Sequence, residues 1–225
     1  MFKFKGIDAT TYGTVTKEPI RKKPEQDTRI TKVEGADTSV IEKSGYLPTK
    51  IETQMVLFNN TDLDDIYTWL DGEGDLILDS HPQRYIVAHC YMELQPERFS
   101  RGVALRVIDI EFTLLSPYWY KNNETPIVLT GAGNVTNDGN VNSRPVLKIT
   151  GSGTVTVTVD GRSFTYIFDT PYVIVDSLQQ DAYHEGVLKN RRMTGAFPIL
   201  EPGINAVSWT GTVTSIELTK VSRWL

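Results

Sequence analysis

The chain has 225 residues, 40% hydrophobic and 23% charged, with a net charge of −5 and a single cysteine. This is ordinary globular usage, and a chain of this size buries roughly 70% of its extended surface on folding, so no disulfide or metal is needed to hold a core. Cys90 has no partner for an internal bridge, no run approaches the ~20 apolar residues of a membrane-spanning helix, and MFKFKGID lacks a signal-peptide apolar stretch, so synthesis in a reducing cytosol is expected.

Period-two alternation dominates the first half. Phe2 and Phe4 flank Lys3 in a first strand. Lys17 to Asp27 (KEPIRKKPEQD) has no apolar face and is expected as an extended surface arm. Its Arg21, Lys22 and Lys23 lack interleaved aromatics and read as solvent-facing charges rather than a nucleic-acid contact. Ile51, Thr53, Met55 and Leu57 alternate with Glu52, Gln54 and Val56. A short amphipathic helix follows, capped by Thr61, carrying Leu63, Ile66, Tyr67 and Leu70, and ended by Gly72.

Residues 1–130 hold 15 Lys and Arg against 20 Asp and Glu, whereas residues 131–225 hold 8 against 8. Seven of the acids lie between Asp62 and Asp79 with no intervening base, a solvated surface that repels nucleic acid. Within it DGEGD, Asp71 to Asp75, lacks the ligand spacing of a calcium loop and is expected as a turn. Tyr85 to Leu94 and Ala104 to Leu115 read as two long strands joined by a turn over Pro96 to Gly102. Tyr118-Trp119-Tyr120 is either packed or an exposed stacking platform.

From Gly131 to Gly139 the chain reads GAGNVTNDG, the candidate linker, which divides it into domains 1–130 and 131–225. Strands are then expected at Val146 to Ile149, Thr154 to Val159, Ser163 to Phe168, Tyr172 to Val175, Ile204 to Trp209 and Val213 to Leu218. Asp160-Gly161 forms a hairpin turn, because a type I′ turn needs the positive φ that glycine adopts freely. Such spacing describes an antiparallel β-sandwich. The expected fold is mainly β, an N-terminal sheet or barrel domain with one short helix followed by a C-terminal sandwich.

No nucleophile elbow, P-loop or dinucleotide fingerprint occurs, and the carboxylates form no recognisable catalytic pair. His81, His89, Cys90 and His184 are not at zinc-ligand spacings, and the adjacent His89 and Cys90 point to opposite faces of a strand. The expectation is a protein that is not an enzyme, with no catalytic, cofactor-binding or metal-binding residues and no cofactor, whose product is a surface.

Several segments together resemble the distal tail protein family of long-tailed, non-contractile bacteriophages. They are MFKFKGID, GADTSVIEKSGYLPTKIETQMVLF, DLDDIYTWLDGEGDLILDS, PQRYIVAHCYMEL and IDIEFTLLSPYWY in the first half, and NDGNVNSRPVLKITGSG, YVIVDS and FPILEPGINAVSWTG in the second. The resemblance implies that the sandwich is galectin-like, and that the N-terminal domain builds a hexameric ring at the tail tip or baseplate around the DNA channel. Implied partners are further copies, the tail tube protein, the tape measure protein and the tail-associated lysin, fibre or receptor-binding protein, with no membrane and no sequence-specific nucleic acid. The location implied is the virion tail tip, assembled in the bacterial cytoplasm. Phe2 to Gly6 and Lys17 to Asp27 are the segments expected to add to a neighbour's sheet. The alternative is a carbohydrate-binding module for cell-wall polysaccharide, stacking sugars on Trp209 or on Tyr118 to Tyr120, although the galactose-binding residue pattern of galectins is missing.

Overall fold

The computed structural model describes residues 1–32, 34–35, 37–98 and 104–225, and divides the chain into two compact units, Met1–Asn122 with Leu225 and Asn123–Trp224.

In the first unit the strands are β1 (Phe2–Phe4), β2 (Ile7–Asp8), β3 (Gly13–Lys17), β4 (Gln26–Lys32), β5 (Ser39–Tyr46), β6 (Lys50–Leu57), β7 (Gly72–Leu78), β8 (Arg84–Arg98), β9 (Ala104–Leu114) and β10 (Trp119–Lys121), with helix α1 (Leu63–Trp69) after β6. The main sheet runs β2-β1-β7-β8-β9-β6-β3. Its alternation works as the sequence requires: Ile51, Met55, Ile108, Ile110 and Phe112 face the core, and Glu52, Asp109 and Glu111 face outward. α1 lies on the core side, where Trp69 stacks on Phe2 with ring centroids 6.0 Å apart and donates its indole N–H to the Phe4 carbonyl at 2.9 Å.

Several local expectations are corrected. The helix cap is Asp62, whose carboxylate accepts from the Asp64 N–H at 3.0 Å, while Thr61 donates its hydroxyl to the Tyr12 carbonyl. DGEGD is not a turn: Asp71 is a bend, and Gly72 to Asp75 open β7, which pairs residue by residue with β8. β8 continues to Arg98, so Pro96 to Arg98, expected in a turn, is strand, and the remainder of that turn lies outside the described residues. β1 is paired on both sides, with β2 and with β7, and Phe2 and Phe4 are fully buried. It has no free edge for a neighbour. The Lys17 to Asp27 segment does run along the surface as expected, with Glu18, Ile20, Lys22, Lys23 and Glu25 exposed, and is pinned at buried Pro19 and Pro24. β4 and β5 form a separate two-stranded ribbon with almost every residue exposed.

In the second unit the strands are β11 (Ile127–Leu129), β12 (Gly133–Asn137), β13 (Val146–Val159), β14 (Arg162–Ile167), β15 (Tyr172–Asp176), β16 (Asp181–His184), β17 (Val187–Leu188), β18 (Met193–Gly195) and β19 (Gly203–Thr219). β13 and β19 are its axis. β13 pairs with β15 through its first half and with β14 through its second, and β19 pairs with β12 and then β11 along its other edge. A bulge between Thr150 and Thr156 permits this change of neighbour. Opposite it Gly211 has φ +94, and a Cβ there would meet the Thr154 carbonyl oxygen at 2.4 Å. The Asp160-Gly161 hairpin forms as expected, with φ of 47° and 79°. The inward side chains of these strands form one apolar cluster, the arrangement of a β-sandwich.

The segment expected as linker lies inside this unit. Both β11 and β12 pair with β19, and the boundary between units falls at Asn122 and Asn123. The glycine and asparagine signal belongs instead to a strand and its turn, where Asn137 accepts from the Gly139 N–H at 2.9 Å and donates to the Val141 and Leu200 carbonyls.

Candidate interaction surfaces

Among the described residues no group of three or more His, Cys, Asp or Glu side chains is placed to hold a metal. His81 sits in a turn beside Ser80, its protonation disfavoured first by burial and then by Arg21 and Arg84. His89 is exposed on β8 while Cys90, next to it, is buried on the core face, where burial pushes the thiol up to about 12. His184 belongs to the second unit and packs edge-on against Tyr172 with centroids 4.4 Å apart.

The tyrosine and tryptophan cluster is packed. Trp119 is buried, with the Arg21 guanidinium 5.6 Å from its ring centroid, and Tyr118 and Tyr120 contact Tyr46 and Tyr85. Arg21 therefore anchors the arm, leaving Lys22 and Lys23 exposed. Trp209 packs partly buried against the second core. The seven acids from Asp62 to Asp79 are all exposed. Asp62, Asp64 and Asp65 lie at the N-terminal end of α1, where carboxylates suit the helix dipole, so local structure accounts for them.

The outward face of the β3-β6-β9-β8 sheet is different. Glu52 lies opposite Glu111, which lies opposite Tyr91, and Asp109 lies opposite Glu93. Carboxylates directly opposite one another on a sheet repel. Lys17 offsets Glu52 at 2.9 Å and Lys50 offsets Glu111 at 2.7 Å, while Asp109 accepts from the Gln54 amide at 2.8 Å. Lys17, Tyr91, Glu93 and Glu111 are among the residues that border a cavity of about 330 Å³ on this face.

The ribbon is the other conspicuous surface. Cross-strand pairs Thr28 with Lys43, Ile30 with Ile41 and Lys32 with Ser39 share one face, which carries two lysines and no carboxylate. Ile30 and Ile41 are 65% and 56% exposed, unusual for a facing pair of isoleucines. The sequence reading passed over this ribbon because neither strand buries a side. The signal present was the β-branched pair Val40-Ile41 and the alternation through Thr28 to Lys32. It missed the acidic sheet face for a related reason: Glu52 and Glu111 are distant in sequence, and only strand register brings them together.

No protein-family model matches the chain, and no curated protein matches it. Among solved structures, the Dit protein of phage SPP1, described as a paradigm of the hub adsorption apparatus in phages infecting Gram-positive bacteria, is similar over 100% of this chain and 98% of its own, at 15% identity and a TM-score of 0.75. Two phage P2 baseplate structures in the activated conformation, with calcium and with strontium, align over 98% of this chain at 9% and 11% identity, with TM-scores of 0.48 and 0.49. The chain thus has the fold of the SPP1 Dit hub protein from end to end.

Proposed function

We propose that the chain is a structural subunit of a bacteriophage tail tip, a distal tail protein whose copies form a hexameric hub between the tail tube and the lysin, fibre or receptor-binding protein below. In this reading the first unit builds the ring around the DNA channel, and the second, a galectin-like sandwich, lies at its periphery. The chain acts through surfaces rather than catalysis, in the virion tail tip, after assembly in the bacterial cytoplasm.

The observation that supports the reading is the match to SPP1 Dit over essentially the full length of both chains. A fold alone does not specify a function. The exposed ribbon adds to it, since a closed ring requires each subunit to offer one surface and accept another.

The test is native mass spectrometry and electron microscopy of the full-length chain, alone over a range of concentrations and with the tail tube protein. Six-fold rings are expected in the second condition at the latest. A monomer in both, or particles of another symmetry, would overturn the reading.

A further inference from the structure

The geometry points to the lysine-bearing face of the β4–β5 ribbon docking on the acidic outward sheet face of a second copy. This inference rests on the ring reading and names the two surfaces that would meet in it.

Three observations converge. First, the acidic face carries the carboxylates of Glu52, Glu93, Asp109 and Glu111 against its own Lys17 and Lys50, so carboxylates remain in excess there for a cationic partner to meet. Second, the ribbon face has the complementary character, with Lys32 and Lys43 on either side of exposed Ile30 and Ile41. A two-stranded ribbon alone is marginally stable in water, so a supporting surface is expected for it. Third, the dimensions agree. A strand of seven residues reaches about 23 Å, enough to carry the lysines away from its own subunit, and the acidic cavity of about 330 Å³ beside Tyr91 and Glu93 has room for a lysine side chain. The surfaces differ, so the contact is head-to-tail, the kind that closes rings.

The experiment uses the full chain with cysteines placed at Ile41 and Tyr91, in a Cys90→Ser background. Under mild oxidation the expected product is a ladder of covalent multimers ending in a closed species, while a control pair at Ile41 and Tyr67, on the opposite side of the sheet, gives none. In parallel, Lys32→Glu with Lys43→Glu should weaken association at least about tenfold, Glu52→Lys with Glu93→Lys should do the same, and the four changes combined should restore it. Association should also weaken as salt rises, because the charges involved are exposed. All four sites are on the surface, and unchanged thermal melting would show that the variants fold.

Absence of the ladder, or cross-links only within one chain, would overturn the inference. Six-fold rings insensitive to both charge reversals would overturn it while leaving the ring reading intact. A ladder closing at a number other than six would support the contact and refute the hexamer.

Discussion

Truncating Phe112 to Ala tests whether the first unit is held together by the faces assigned to β9. Phe112 is fully buried, with its ring 5.4 Å from Phe2 and 5.1 Å from Phe4, and it lies between Ile51 on β6 and Cys90 on β8. Removing a buried phenylalanine costs about 3 to 5 kcal/mol, and losing two aromatic contacts at once places the expected cost near the upper end, about 4 to 5 kcal/mol. Glu111, one residue earlier, points outward and holds Lys50 at 2.7 Å on the outward face of the sheet. Its replacement by Gln should cost about 0 to 1 kcal/mol. Urea unfolding followed by tryptophan fluorescence reports on both units, because Trp69 and Trp119 lie in the first and Trp209 and Trp224 in the second. Equal costs for the two variants would refute the assignment of faces, and so would a Phe112→Ala effect confined to the transition of the second unit.

Lys220→Ala should destabilise the second unit by about 3 kcal/mol, since Lys220 and Glu124 are 10% and 7% exposed and removal of one partner strands the other charge; a loss under about 1 kcal/mol in denaturant unfolding would show that Ser222, which donates to Glu124 from both backbone and hydroxyl, suffices without it. A fragment beginning at Asn123 should unfold cooperatively, and one beginning at residue 131 should melt lower, because it lacks β11 and Glu124; equal melting temperatures would place the boundary at the later position. The Cys90 thiol, raised to about 12, should resist a thiol-specific chromogenic reagent at pH 8 in the native protein and react on unfolding. The sign of its pH effect follows: the unfolded state loses this proton first as pH rises from about 9, so Cys90 lowers stability progressively between there and about 12, and Cys90→Ser should flatten that decline.

The strands with one buried side were legible from alternation, and β9 and the Asp160-Gly161 hairpin appear where the residues placed them. Misreadings occurred where composition carried two meanings. Gly and Asn at residues 131–139 looked like a linker, yet Asn137 uses its side chain to close a turn after a paired strand. The glycines of DGEGD looked like a turn, although a Cβ at Gly74 would collide with the Lys5 side chain, so close packing accounts for that residue. The ribbon and the acidic face escaped notice because exposed strands leave no apolar periodicity, and because repulsion between Glu52 and Glu111 exists only after β6 and β9 find their register.

The place of β19 in the second sheet has a consequence for biosynthesis. β11, β12 and β13 all pair with it, yet it spans residues 203–219, whereas the ladders of the first unit named above are complete by Leu114. A ribosome adding roughly 5 to 20 residues per second needs about 5 to 20 s to travel from Asn122 to Thr219. During that interval β11, β12 and β13 are exposed edges and apolar faces without the strand that joins them. The nascent chain therefore carries the main-sheet ladders of the first unit ahead of an open second unit, a state that favours chaperone capture or premature association between neighbouring chains.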